Sequence, residues 1–489
     1  MGPPQRALCV SLAIVAVVWA GVFAIRLAAP SDLADNDQPR PVAYALDIIA
    51  NGSWVLQRDA GGTVTTKPPL HAWLIALASL PTGEVSRLTV ALPSALSMLG
   101  VACGVTLLTL RIASPTTATL AGLAALLSPM GVKMTLLART DPLLTFTVFL
   151  AFAIGVLGGQ QRSVRARVRW RIAFWIAASV AVFTKGPVAL LFVIPALLFR
   201  APLEDRAPGA RRTLLWTHAL AALAVPLLIG GWLAAAVATG GREVWDVMIG
   251  YEVVAQTLHS NEIAGRTLVE SLRVRFAPIA DAITWFLPWS VLAAVRIGRV
   301  LARRTPPSPM AALEKALAWQ VVFMLAIFVL ASHKRSDHLA PLIPAMAILA
   351  AMEVAPLLDR LGAWSRIALA ALVPLALAGV WVEHFGRRDD HMVRLTGALL
   401  EMGSALRHRG IEGREIAFVH IDIVAQMPIG AKEPIVAPEE LPEALASGRR
   451  YIVTHDPAGA AAAVPGAAEL EAAGDEDVRI YLFDAAPGS

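Results

Sequence analysis

The chain alternates long apolar runs with short polar connections, and that alternation leaves few folds open. Runs at 8–28, 88–110, 115–131, 142–158, 172–183, 188–199, 214–238, 282–298, 316–331, 339–353 and 367–383 read as helices that cross a bilayer, because lipid offers no partner for an unpaired backbone amide. Hydrophobic residues make up 56% of the chain and charged residues 16%, which excludes an ordinary soluble domain. The expected fold class is an all-α polytopic membrane protein with about eleven or more spans. The run at 7–29 follows Arg6 without a small-residue cleavage site and reads as a retained first helix. Residues 172–183 and 188–199 are short for full crossings and are separated by "TKGP" at 184–187. A single broken span there would reverse everything downstream, so two crossings are expected. Residues 70–80 are too short to span and read as an interfacial helix.

Charge placement sets the orientation. "QQRSVRARVRWR" (160–171), "RAPLEDRAPGARR" (200–212) and "RIGRVLARR" (296–304) are the arginine-rich connections. With the first helix starting inside, all three fall in the cytoplasm, as positive-inside topology requires. The net charge of +5 therefore belongs to loops and not to a nucleic-acid-binding face. Cys9 and Cys103 both lie in apolar runs and build no disulfide framework. From about 385 the character changes. "EIAFVHIDIV", "RYIVTHD" and "VRIYLFD" read as strands, "PEELPEALASG" as a helix, and the Ala/Gly/Pro-rich stretch at 457–473 as loop. The expected division is a membrane domain over 1–384, including an outer loop at 30–67, and a small α/β domain over 385–489 on the outer face.

That topology gathers the unusual residues on one side. The loop 30–67 carries Asp35, Asp37, Arg40, Arg58 and Lys67, and includes an amphipathic helix ending at Asn51-Gly52. Lys67 precedes Pro68-Pro69, a rigid mount for a point cation that can meet a lipid phosphate; a snorkelling lysine at a helix start is the plainer alternative. "LARTDP" places Arg139 and Asp141 at a span start, where Asp141 can equally be a helix cap. Lys185 lies in "TKGP", and the 239–281 segment brings Glu252 to the same face. "SHKRSDH" packs His333, Lys334, Arg335, Asp337 and His338 against a proline-broken helix, denser than anchoring needs. His333, His338, Asp337, Glu252 and Asp37 offer ligand types for a divalent metal, but no spacing matches a specific site. There is no Walker A, no GxGxxG and no DxD after a strand in a cytoplasmic nucleotide-sugar domain, which points to a membrane-borne group donor.

"NDQPRPVAYALDIIANGSWVLQRDAGGTVTTKPPLHAWLIAL", "LARTDPLLTF", "VFTKGPVALL" and "SHKRSDHLAPLIPAMAIL", in that order over roughly 8–385, resemble the membrane-embedded GT-C glycosyltransferases. Among these the aminoarabinose transferases of lipid A and the protein O-mannosyltransferases are the nearest in pattern. The resemblance implies transfer of a sugar from a polyprenyl-phosphate donor to lipid A, glycan or protein at the periplasmic face of a bacterial inner membrane. It implies Asp37 as general base, with Lys67 at the donor phosphate. Arg58, Lys185, Lys334, Arg335 and His338 would lie around donor phosphate or sugar, with Arg40, Asp141 and Glu252 supporting them. Thr66 stands where the aminoarabinose enzymes carry glutamate, Val253 where they carry histidine and Gln38 where the family has a second acid. These departures weigh against a phosphate-side metal. A transporter or lipid flippase is the alternative reading, though its charges should lie near the bilayer midplane.

Overall fold

The computed structural model describes residues 3–35, 37–159, 161, 163–198, 210–255, 268–302, 311–330 and 335–485. Its membrane part opens with α1 (Pro3–Ala28), followed by the amphipathic α2 (Pro39–Asn51), the short α3 (Leu70–Ser79) and α4 (Arg87–Thr109). α5 (Pro115–Leu127) and α6 (Pro129–Leu136) lead to α7 (Asp141–Gly159), α8 (Val164–Lys185) and α9 (Ala189–Leu198). α10 (Ala210–Ala222), α11 (Ala224–Gly240) and α12 (Arg242–Trp245) run into a π-helical segment, Asp246–Ala255. α13 (Leu268–Thr284), α14 (Trp289–Leu301), α15 (Ala311–Leu330), α16 (Ile343–Leu361) and α17 (Ala363–Phe385) complete the bundle. Among the described residues seven helices are long and apolar enough to cross a membrane, or up to nine if each of two bent pairs is one span. The chain is a multi-pass membrane protein.

Three differences from the expected spans have local causes. The run at 115–131 bends by 63° between α5 and α6, because Pro129 disfavours helical backbone at Ser128. Ser128 then caps the second helix, accepting from Gly131 N at 3.0 Å. The run at 282–298 straddles a 106° bend between α13 and α14, where Pro288 ends the helical pattern. The third difference is at α8, which begins eight residues before the expected 172 because Ser163 caps it. The arginines read as loop continue the helix, with Arg167 and Arg171 buried. The break at 184–187 holds: α8 ends at Gly186, whose φ of 81° suits glycine alone among ordinary residues.

After α17, α18 (His391–His408) packs on a five-stranded sheet ordered β2-β1-β3-β5-β4. β1 (Ile416–Val419) pairs parallel with β2 (Ile435–Val436) and β3 (Tyr451–Thr454), while β5 (Arg479–Asp484) is antiparallel to β3 and β4 (Ala468–Gly474). The three expected strands are present. Helix α19 (Leu441–Ala446) lies between β1 and β3, as "PEELPEALASG" suggested. The 457–473 stretch is not loop: it forms α20 (Pro457–Ala463) and most of β4. Backbone pairing to β5 overrides its alanine-rich composition. One apolar core joins Val42, Leu46 and Ile75 of α2 and α3 to Leu399, Met402 and Phe418 of this region. The amphipathic helix beside Asp37 is thus clamped between bundle and sheet.

Candidate active site

The loop bearing Asp37 is held from three sides. Arg87 caps the end of α1, donating to the carbonyls of Arg26 and Leu27 at 2.9 Å and to Ala29, which satisfies helix-end acceptors. Gln38 donates to Asp32 O at 2.8 Å and accepts from Ala138 N at 3.1 Å. Ala34 N donates to Thr396 Oγ1 at 3.0 Å, tying the loop to α18. The Asp37 carboxylate meets Arg335 in a direct ion pair, Arg40 at 3.7 Å and Arg139 at 4.0 Å. Burial pushes its pKa up, but the Arg335 hydrogen bond and the surrounding guanidinium charges outweigh this and hold it below the ordinary carboxylate range.

Arg139, between α6 and α7, is the hub. Its guanidinium reaches Asp337 at 2.7 Å and Asp141 at 3.5 Å as well as Asp37. Asp141, almost wholly buried at the start of α7, also pairs with Lys185 at 2.5 Å. Asp337 pairs in turn with Lys133 of α6 at 2.5 Å. Six cations (Arg40, Lys67, Lys133, Arg139, Lys185, Arg335) thus gather around three carboxylates (Asp37, Asp141, Asp337). An excess of positive charge in a partly dry site favours an anion.

Lys67 lies close enough to Lys185 for their charges to repel. Its strap is rigid: Thr65 Oγ1 donates to Lys67 O at 3.0 Å, and Trp73 N bonds Pro69 O at 2.8 Å. Tyr44 of α2 hydrogen-bonds Thr65, and burial raises its phenol pKa to about 12. His338 lies within electrostatic reach of Asp141, as does His71 of α3. His71 is buried with no partner for Nε2 among the described residues, and burial pushes it down to about 4, so it is neutral at physiological pH.

Of the residues singled out from sequence, Asp37, Arg40, Asp141, Lys185 and Arg335 fall in one network, with Lys67 and His338 at its edge. Arg58 is engaged elsewhere. Its guanidinium pairs with Glu243 at 3.0 and 3.3 Å and donates to Gly62 O at 2.6 Å, pinning the 58–64 turn to α12. Glu252 lies on the π-helical segment, and Lys334 and His333 lie outside the described residues. Sequence reading did not single out Lys133 or His71, and it did not give Arg139 its central place. A lone ionisable residue inside an apolar run was the available signal for the first two. Among the described residues no group of three or more His, Cys, Asp or Glu is placed to hold a metal ion.

A cavity of about 190 Å³ is lined by the Arg139–Asp337 pair together with Asp32, Asp35, Gln38 and Trp285.

Known proteins match this arrangement over most of the chain. ArnT from Cupriavidus metallidurans, bound to undecaprenyl phosphate, superposes with a TM-score of 0.69 at 19% identity, covering 98% of each chain. Its apo state gives a TM-score of 0.68 at 18% identity and 99% coverage of each. The fold is that of a GT-C glycosyltransferase. The archaeal oligosaccharyltransferase AglB from Archaeoglobus fulgidus, in complex with an inhibitory peptide and a dolichol-phosphate, gives a TM-score of 0.50 at 12% identity, covering 91% of this chain and 69% of that one. Residues 66–232 match the dolichyl-phosphate-mannose-protein mannosyltransferase family, a segment holding Lys67, Lys133, Arg139, Asp141 and Lys185. No curated protein sequence matches the chain significantly. The family match over part of the chain and the fold match over nearly all of it support an enzyme of the glycosyltransferase class.

Proposed function

We propose that the protein transfers a sugar from a polyprenyl-phosphate donor to an acceptor hydroxyl, with the reaction centred on Asp37. The observation that carries this reading is the cationic excess around Asp37 at the helix ends of a GT-C fold. Lys67 holds the donor phosphate, with Lys185 behind it. In the step itself the acceptor oxygen attacks the anomeric carbon from the face opposite the phosphate. Its proton passes to the Asp37 carboxylate, the new C–O bond forms, and the anomeric C–O bond to phosphate breaks. The electron pair leaves on polyprenyl phosphate, where the developing charge is met by lysine, so the cations act most strongly in the transition state.

Arg335 has two uses in this scheme. Paired with Asp37 it keeps the carboxylate ionised but a weak base. Drawn toward the incoming phosphate, it releases Asp37, whose pKa then rises toward a value better suited to proton abstraction. The region from 385 onward is read as a separate domain that clamps α2. An inner-membrane location with the site at the periplasmic face follows from the basic loops.

The test is transfer from a radiolabelled polyprenyl-phosphate sugar into membrane extract by wild type and Asp37→Asn. Loss of one general base should cost roughly 10²–10⁴-fold in turnover. Equal transfer by both proteins removes Asp37 from the chemistry. Translocation of the donor lipid in liposomes without transfer favours a flippase instead.

A further inference from the structure

The cavity beside Arg139 differs from the donor side in one respect: its charges balance. Arg26, Lys133, Arg139 and Arg387 line it together with Asp32, Asp35, Asp337 and Glu383. A phosphate would meet repulsion from four carboxylates, and a cation would meet four basic groups. A neutral ligand rich in hydroxyls suits such a lining, since each hydroxyl can donate to a carboxylate and accept from a guanidinium.

Two further observations narrow the ligand. Trp285 is part of the lining, and Lys133 Nζ stands over its ring, 4.9 Å from the centroid. An indole amid paired donors and acceptors matches a pyranose ring, whose C–H face packs on the aromatic surface while its edge hydrogen-bonds. Arg26 also lines the cavity. Its Nη1 is anchored on the carbonyls of Val132 and Lys133, both at 3.0 Å, but its buried Nε has no partner among the described residues. A buried orphan donor next to a polar cavity calls for a ligand oxygen. At about 190 Å³ the space is below the roughly 300–1,000 Å³ that engulfs a larger ligand, so it admits one ring-sized group.

We propose that this cavity binds the acceptor, and that the acceptor presents a neutral sugar unit there and not a peptide or a phosphate. The inference rests on the transferase reading above and deepens it. Gln38, next in the chain to Asp37, and Arg139, which reaches Asp37 at 4.0 Å, both line the cavity, so a sugar bound there sits beside the base.

The test uses the full chain in nanodiscs and four probes: a mixture of methyl glycosides, a Ser/Thr peptide, inorganic phosphate and undecaprenyl phosphate. Saturation-transfer NMR reads the first three, and calorimetry reads the last. At least one methyl glycoside should bind at millimolar concentration. Glu383→Gln and Trp285→Ala should each weaken it roughly tenfold, the loss of a charged hydrogen bond or of an aromatic face. Undecaprenyl phosphate affinity should stay within about twofold, because the donor phosphate is assigned to Lys67 and Lys185, which do not line this cavity. Trp285→Phe, which keeps an aromatic face, should retain most of the glycoside affinity. Binding of the peptide or phosphate with no glycoside bound overturns the proposal, as does glycoside binding unchanged in both variants. Neither the probe panel on wild type nor Trp285→Phe depends on a disruptive variant folding. Failure of wild type to bind undecaprenyl phosphate would count against the transferase reading, and the glycoside result would still be read separately.

Discussion

Two clusters of charge lie within the helical bundle, and they differ in kind. Between α14, α15 and α16, Arg296 pairs with Glu314 at 2.7 Å and reaches Glu353 at 3.9 Å, while Arg299 pairs with Glu353. Two cations meet two carboxylates, and the result joins three helices. Around Arg139 the cations outnumber the carboxylates, a cavity opens alongside, and the residues come from loops and helix starts as well as helix interiors. Balanced pairs are a way to pack helices. Unbalanced ones hold a place for a charged ligand.

The largest expected effect follows from removing the hub. Arg139→Ala leaves Asp141 and Asp337 buried with one lysine each and should cost about 3–5 kcal/mol, as broken buried pairs do. The melting temperature of the purified protein would read this, and an unshifted melt would mean that the hub carries no structural load. Next, Lys67→Ala should weaken donor-lipid binding by roughly 10–100-fold, the loss of one charged phosphate contact, while acceptor KM changes little. A change confined to acceptor KM would move Lys67 out of the donor site.

The smallest effect concerns the C-terminal region, where Asp422 caps a short turn at Ile423–Gln426 that packs on α2. Burial raises its pKa to about 6. A raised carboxyl pKa contributes stability below the unfolded value near 3.9, and that contribution is lost as pH rises through about 6. Asp422→Asn keeps the cap and should raise the melting temperature at pH 7.5 by the equivalent of up to about 3 kcal/mol, with little change near pH 3. A pH-independent difference would contradict the assignment.

The sequence made some of this legible and hid the rest, for physical reasons. Period and length gave α1, α4, α7 and the amphipathic α2, because an apolar run has one stable solution in lipid. The bends at Ser128 and near Pro288 were masked by unbroken hydrophobicity, even though a proline marks each. β4 was invisible because its strand state comes from pairing with β5 and not from its residues. In the site, Asp37, Lys67, Asp141 and Lys185 stood out as charges at span ends. The hub role of Arg139 and the place of Lys133 depend on distances between segments 198 and 204 residues apart, which a linear pattern does not carry. Arg58 looked alike in sequence and serves a different purpose, because Glu243 is there to take it.

The contrast between the two clusters reduces to one paired measurement. Asp37→Asn and Glu314→Gln are purified beside wild type, and each is assayed for melting temperature and for sugar transfer per folded molecule. Asp37 is part-exposed, so its loss should move stability by no more than about 1 kcal/mol while transfer falls by orders of magnitude. Glu314 is buried, so its loss should lower the melting temperature and leave transfer per folded molecule intact. The opposite pattern, with Asp37→Asn active and Glu314→Gln stable but inactive, would contradict the placement of chemistry at the Arg139 cluster.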